Sequence, residues 1–195
     1  MEQYIEILGT IVGIIYLWQE YHASINLWLT SIIMPAIYLY VYYSAGLYAD
    51  FGINIYYLVI ALYGWLAWRY NFSLTKKTES EKELYISHIK KSYIPRLAVL
   101  FLALWLIIAR LLMEFTDSTV PISDAFTTSL SIVGMYMLAR KYVEQWFIWM
   151  IVDIASSALY LYKGLYFTAV LYFVYAIIAI FGYRKWKKMI CYENN

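Results

Sequence analysis

The sequence predicts an all-α integral membrane protein with seven transmembrane helices. The first observation is composition: of 195 residues, 64% are hydrophobic and 14% are charged, whereas soluble domains average about 45–50% apolar and about 25% charged residues. The second is that seven apolar runs reach the roughly 17–25 residues that cross a bilayer as a helix. The third is an internal repeat, which divides these helices into two parallel groups of three joined by one linker helix.

The predicted spans lie at 4–20, 25–44, 47–68, 95–113, 122–139, 145–162 and 165–183. No basic region or cleavage site precedes the first span, so we expect it to be retained as a helix. The stretch from Arg69 to Ser92 is too charged to enter lipid and is predicted to be a solvent loop. The predicted organisation is a first repeat at 1–70, a loop and linker helix at 71–121, a second repeat at 122–188 and a cytoplasmic tail at 189–195.

The basic residues predict the orientation of the chain. If the N-terminus is outside, only Arg110 and Lys163 of the 15 Lys and Arg residues face out. Loops on the cytoplasmic side of a membrane carry an excess of Lys and Arg. We therefore expect a multi-pass protein with its N-terminus outside and its C-terminus in the cytoplasm.

The internal repeat appears when the sequence is shifted against itself by 118 residues without a gap. The shift places Trp28 on Trp146, Trp68 on Trp186, and the Gly-Leu-Tyr at 46–48 on that at 164–166. One helix connects the two copies, so they have the same orientation and form parallel repeats. Transporters with this design bind substrate near the midplane, where the repeats meet.

The sixth span carries the residues that most strongly indicate a ligand site. Trp146, Trp149 and Asp153 stand at i, i+3 and i+7, so two indoles and a carboxylate are predicted to share one side of a helix. A charge at the bilayer centre costs roughly 3 kcal/mol on insertion scales, and each aromatic face attracts a cation by about 0.5–2 kcal/mol. Such a face suits a flat cationic ring. The alternatives are interfacial anchoring for the tryptophans and a structural bond for Asp153.

Matching polar faces on the third and seventh spans extend this prediction. Asn54 and Tyr57 of the third span align with Tyr172 and Tyr175 of the seventh, and we expect these four side chains and Trp28 to line the same cavity. Four other residues lie near span ends or interrupt a helix. They are interpreted as gating or structural: Glu6, Pro35, Asp50 and Asp124.

The sequence gives no sign of an enzyme. It contains no P-loop, dinucleotide-binding fingerprint or HExxH motif. One cysteine and two histidines make a Cys-based or His-based metal site unexpected. The net charge of +2 does not indicate a nucleic-acid partner, because the basic residues are confined to particular loops instead of covering one face. We expect no cofactor.

Several stretches together resemble the PnuC family of bacterial vitamin transporters. They are Leu-Tyr-Ala-Asp at 47–50, Tyr-Gly-Trp at 63–65 followed by Trp68, the Trp146/Trp149 pair, and Leu-Tyr-Lys-Gly-Leu-Tyr at 161–166. The resemblance covers nearly the whole chain. It implies a homotrimer in the bacterial inner membrane and facilitated diffusion of an unphosphorylated vitamin precursor, which a cytoplasmic kinase then traps. It also implies that the two tryptophans stack on the ligand and that residue 54 hydrogen-bonds it.

The resemblance leaves two cationic substrates open, nicotinamide riboside and thiamine. Asn54 stands where the nicotinamide riboside branch usually has Gln, and Gln145 stands where that branch has Asn. A shortened amide does not reach the same ligand atom, and buried polar groups discriminate strongly when they are left unpaired. These differences favour thiamine, whereas the family as a whole favours nicotinamide riboside. A sugar transporter of the related parallel triple-helix fold is the alternative function, and a membrane scaffold without a substrate is a third reading.

Overall fold

The computed structural model describes residues 2–44, 48–70 and 84–193, and across these ranges the chain forms seven α-helices. The helices are α1 (Glu2–Tyr21), α2 (Asn26–Ser44), α3 (Tyr48–Tyr70), α4 (Ile94–Phe115), α5 (Pro121–Ala139), α6 (Gln145–Tyr162) and α7 (Tyr166–Glu193). Each covers one predicted span, so the all-α prediction is confirmed. Three segments of the described ranges are long and apolar enough to cross a membrane by length and composition: Lys91–Phe115, Pro121–Ala139 and Thr168–Ile190.

Helix α7 extends beyond the span predicted for it, from an expected end at 183 to Glu193. The added turns contain Arg184, Lys185, Lys187 and Lys188. Lys and Arg are good helix formers, and their long stems reach along apolar surface while the charge stays in water. The basic cluster that was predicted to follow the helix therefore continues it.

The chain divides into two compact units, Met1–Leu84 and Tyr85–Asn195. In the first unit α2 packs against α1 and, more extensively, against α3. In the second unit α6 packs against α5 and, more extensively, against α7, while α4 packs against α5. The second helix of each predicted repeat is therefore the central one of its group.

The turn between α1 and α2 and the turn between α5 and α6 are built alike. Ala23 and Lys141, 118 residues apart, both have a left-handed backbone, with φ of 50° and 51°. The amide of each donates to a carbonyl three residues back at 2.9 Å, and the next amide donates to a carbonyl five residues back. This pair of bonds is a Schellman motif, which ends a helix by satisfying its last carbonyls. The repeated sequence thus has a repeated backbone geometry at these turns.

The turn between α6 and α7 depends on a glycine. Gly164 has φ of 76°, a conformation that glycine adopts without steric cost. Its amide donates to Leu161 O at 3.1 Å, and that of Leu165 donates to Tyr160 O at 2.9 Å. The prediction of a tight Gly-Leu-Tyr reversal at 164–166 is confirmed here. The matching turn around Gly46 lies outside the described residues.

In the first unit a tryptophan fixes α2 to α3. The indole of Trp28 lies across Gly64 and meets Trp68 edge to face, with ring centroids 5.6 Å apart and planes at 88°. A Cβ added at Gly64 would come within 2.4 Å of the Trp28 ring. Only glycine leaves room for this indole, whose side chain is fully buried. We name the Trp28–Gly64–Trp68 contact the first clasp.

The second unit contains the same contact at the positions 118 residues later. Trp146 of α6 lies across Gly182 of α7 and meets Trp186 edge to face, with centroids 5.7 Å apart and planes at 89°. A Cβ added at Gly182 would come within 2.6 Å of the indole. This Trp146–Gly182–Trp186 contact is the second clasp. It explains why the sequence repeat pairs these three residues in register.

Candidate functional site

One face of α6 combines an amide, an indole and a carboxylate. Gln145, Trp149 and Asp153 stand at i, i+4 and i+8, and their exposed fractions are 0% for Gln145 and 8% for Asp153, with Trp149 half-buried. Neither the oxygen nor the nitrogen of the Gln145 amide has a hydrogen-bond partner in the described part of the chain, and the same is true of Trp149 Nε1. Buried polar groups are normally hydrogen-bonded. These atoms therefore have unused hydrogen-bonding capacity.

Helix α7 adds phenol groups beside Asp153. The phenol groups of Tyr172 and Tyr175 lie within electrostatic range of the Asp153 carboxylate. Their rings are 5.7 Å apart between centroids, and the Tyr172 ring is 5.1 Å from that of Tyr160. Ser157 next to this face donates to Ala169 O at 2.8 Å, which ties α6 to α7. The structure thus brings together Asp153, Tyr172 and Tyr175, three of the residues predicted to bind substrate.

The two tryptophans of α6 contact different helices. Trp146 packs on Gly182 and Trp186 of α7, whereas Trp149 lies against Gly134 of α5, where an added Cβ would be 3.5 Å from its ring. The predicted face of α6 carries both indoles, but they contact different neighbouring helices. Residues three apart on a helix differ by about 60° in direction. Each indole packs on a glycine of the neighbouring helix on its own side. The predicted role of Trp146 in binding remains a prediction, and its observed contact is the second clasp.

In the first unit the predicted residues lie on α2 and α3. Asn54 is 8% exposed, Tyr57 is half-buried, and Trp28 belongs to the first clasp. The phenol of Tyr16 on α1 lies within electrostatic range of Tyr57 and of Glu20. Sequence reasoning missed Tyr16 and Glu20, because Glu20 was read as the end of a span. The signal was present: a carboxylate and a phenol stand one helical turn apart at i and i+4.

The structure describes two of the four residues that were predicted to be gating or structural, Asp124 and Pro35. Asp124 in the first turn of α5 accepts hydrogen bonds from Lys163 Nζ at 3.1 Å and from Ser118 Oγ at 2.7 Å, so it ties two loops together. Pro35 lies inside α2, which continues through it. The side chains of Glu6 and Asp50 lie outside the part of the chain that the structure describes.

An extended segment, 84–90, supports the start of α6. Ser87 exchanges backbone hydrogen bonds with the α5–α6 turn, donating to Lys141 O at 3.1 Å and accepting from Val143 N at 3.0 Å. Glu144 accepts from His88 Nδ1 at 2.7 Å and from the Ile89 amide at 2.9 Å. Sequence reasoning placed this segment in a solvent loop. Within this loop, the bonds of the segment hold Glu144, the residue that precedes Gln145.

An apolar groove of about 460 Å³ runs between α4, α5 and α6. Trp105, Phe126 and Tyr162 contribute its aromatic walls. None of the residues predicted to bind substrate lines it. The groove is therefore separate from the polar face of α6.

Comparison with known proteins identifies the family. A family model described as Nicotinamide mononucleotide transporter matches residues 3–188. The chain belongs to this family. The nicotinamide mononucleotide transporter family consists of membrane transporters, so the chain is a transporter and not an enzyme. The resemblance to PnuC proteins is confirmed as well.

Individual members of the family show how far the likeness extends. The nicotinamide riboside transporter PnuC of Escherichia coli (strain K12) is 25% identical over 94% of this chain and 84% of its own. The riboflavin/roseoflavin transporter RibM of Streptomyces davaonensis is 26% identical over 93% of this chain and 83% of its own. A crystal structure of the vitamin B3 transporter PnuC superposes with a TM-score of 0.67 at 22% identity, covering 92% of this chain and 79% of that one. This last match shows the shared fold.

Proposed function

We propose that this protein imports an unphosphorylated cationic vitamin precursor. The observation that carries the proposal is the α6 face, on which Gln145, Trp149 and Asp153 present an unpaired amide, a half-buried indole and a buried carboxylate. An indole attracts a positively charged ring by about 0.5–2 kcal/mol, and a buried carboxylate strongly favours a cationic partner. In this proposal Tyr172 and Tyr175, with Asn54, Tyr57, Trp28 and Trp146, complete the substrate-binding set.

The Asp153 carboxylate also indicates whether the substrate carries a phosphate group. A phosphate group carries about −1.5 to −2 charges at neutral pH, and Asp153 would repel it from the same face. A free amide donor and acceptor on Gln145 instead suit a planar group that offers one acceptor and one donor, such as a carboxamide or an aminopyrimidine. Nicotinamide riboside has the first and thiamine has the second. We therefore propose a nucleoside or vitamin without phosphate.

Nicotinamide riboside is our first candidate, because the names of two family members from different bacteria, Escherichia coli and Neisseria mucosa, specify it. Thiamine is the second candidate, and it is favoured by the presence of Asn54 and Gln145 where the nicotinamide riboside branch has other amides. A related protein is named as a riboflavin transporter, but riboflavin is neutral and gains nothing from Asp153. A sugar likewise lacks the charge and the flat ring.

The proposed mode of transport is facilitated diffusion. An inside-negative membrane favours entry of a monovalent cation by about 2.3 kcal/mol per 100 mV, so no coupling ion is needed when a cytoplasmic kinase removes the product. We propose that the helices form a three-plus-one-plus-three arrangement of parallel repeats with the N-terminus outside. By resemblance to the family, three copies assemble in the bacterial inner membrane.

Isothermal titration calorimetry on the purified protein in detergent tests this proposal. Nicotinamide riboside, thiamine and riboflavin are titrated separately, with ribose as the neutral control. We expect one of the two cations to bind and ribose to give no heat. Replacing Trp149 by Ala should weaken that binding by roughly 5- to 160-fold, since stacking on an aromatic side chain is worth about 1–3 kcal/mol.

Two results would contradict the proposal. Binding of ribose with no response to either cation would favour the sugar transporter. Binding of riboflavin alone would move the substrate to a neutral tricyclic ring and remove the role of Asp153. Retained folding of Trp149→Ala is checked by gel filtration and thermal unfolding, so that lost binding is not mistaken for lost structure.

A further inference from the structure

At two pairs of matching positions, one repeat has a buried polar residue where the other has a leucine. Where the second repeat has Gln145 on α6, the first has Leu27 on α2, and where the first has Glu20 on α1, the second has Leu138 on α5. All four side chains are buried, with exposed fractions of 0%, 0%, 2% and 0% in that order. Each repeat therefore buries one polar residue and one leucine at this pair of positions. The polar residue is on the first helix of the first repeat and on the second helix of the second repeat.

A large aromatic residue follows the same pattern: it is on the first helix of the first repeat and on the second helix of the second repeat. Trp149 of α6 matches Ser31 of α2, and Gly134 of α5, on which Trp149 packs, matches Tyr16 of α1. The second repeat thus has its ring and its amide on the second helix, whereas the first repeat has its ring and its carboxylate on the first helix. In both repeats the ring and the polar group are four residues apart, which is one helical turn.

The first-repeat residues form a cluster with residues already proposed to bind substrate. The Tyr16 phenol lies within electrostatic range of both Glu20 and Tyr57. Tyr57 lies on α3, close to one turn beyond the buried Asn54. The neighbouring Gln19 accepts a hydrogen bond from Thr30 Oγ1 at 2.7 Å, which joins α1 to α2 beside Glu20. Glu20 and Tyr16 are thus held within the first unit next to its proposed ligand residues.

The fold itself accepts hydrocarbon where Glu20 lies, because Leu138 fills the equivalent buried position. Removing a carboxylate from water is costly, and hydrophobic residues of similar volume often replace a buried ion pair without loss of stability. The carboxylate is therefore better explained by recognition than by packing. We propose that Glu20 and Tyr16 are the first repeat's substrate-recognition pair, in which Glu20 selects for the positive charge of the ligand and Tyr16 supplies a ring. This inference rests on the proposed function.

A comparison of a cation with its neutral counterpart tests the inference. The probes are nicotinamide riboside and its reduced dihydro form, which differ in the charge of the ring, with thiamine as a second cation. Affinities are measured by calorimetry for the wild type, Glu20→Gln and Glu114→Gln. Glu114 is the matched control, since it is exposed on α4 and pairs with Arg110. We expect Glu20→Gln to weaken cation binding at least tenfold and to leave binding of the neutral form within about threefold.

The ratio of the two affinities separates recognition from structure. A structural role for Glu20 would lower both affinities together and would lower the unfolding temperature of Glu20→Gln, which overturns the inference. An unchanged ratio in Glu20→Gln also overturns it while leaving the proposed function intact. If thiamine is the cation that binds, the same tenfold loss for thiamine in Glu20→Gln supports the inference only when the unfolding temperature of Glu20→Gln is unchanged and Glu114→Gln is unaffected. A wild-type protein that binds neither cation contradicts the proposed function, and the inference with it.

Discussion

Gln145 is fully buried, yet its amide finds no partner among the described residues. Leaving a buried amide unpaired costs about 1–3 kcal/mol, and the equivalent position of the first repeat is Leu27. We therefore predict that Gln145→Leu raises the unfolding temperature by several degrees, since about 1 kcal/mol shifts the midpoint of a chain of this size by about 2–4 °C. The same change should weaken ligand binding at least tenfold. Thermal unfolding and calorimetry on one preparation measure both effects.

The control for this prediction is the glutamine that has a partner. Gln19 accepts from Thr30 Oγ1 at 2.7 Å, so Gln19→Leu removes a made hydrogen bond and should not raise the unfolding temperature. A lower unfolding temperature in Gln145→Leu would mean that this amide is structurally satisfied. Its assignment to the ligand would then be withdrawn.

At the scale of the helices, the two clasps decide how α2 meets α3 and how α6 meets α7. We predict that Gly182→Ala destabilises the protein by about 1–3 kcal/mol, because overpacking a close contact forces side chains and backbone apart. Trp146→Leu should also destabilise it, through the cavity that it leaves. The double variant should cost at least 1 kcal/mol less than the sum of the two, because the smaller side chain gives the new methyl group room. Chemical or thermal unfolding of all three variants in detergent measures this coupling.

The chain provides two controls for the clasp. Gly64→Ala with Trp28→Leu repeats the cycle in the first unit, where we expect coupling of the same sign. Gly52 of α3 has open space at its Cβ position, so Gly52→Ala should be neutral or slightly stabilising. Additive effects at 146 and 182 would show that the indole and the glycine are not in contact. Lost ligand binding in Trp146→Leu without lost stability would support its proposed place in the substrate-binding set and contradict its role in the second clasp.

At the scale of the whole molecule, the charge distribution predicts which end of the chain faces the cytoplasm. The sequence contains a single cysteine, Cys191, on the predicted inner side. A membrane-impermeant maleimide should therefore leave the wild type unlabelled in intact cells and label it after permeabilisation. The reporter for the opposite side is Asp117→Cys in a Cys191→Ser background. Asp117 is exposed in the α4–α5 loop, and we expect labelling there in intact cells. The reverse pattern would invert the proposed orientation.

The sequence by itself determined the helices, because crossing a bilayer requires about 20 apolar residues in a row and leaves a clear signal. It also determined the 118-residue repeat, which the turns at Ala23 and Lys141 follow in backbone detail. Tertiary structure decided which way each side chain faces. Helical periodicity placed Trp146 and Trp149 on one side, but close packing on Gly182 and Gly134 sends them to different helices. Glu20 looked like the end of a span, and only its burial shows otherwise. Contacts between helices depend on residues far apart in sequence, and periodicity within one helix does not contain them.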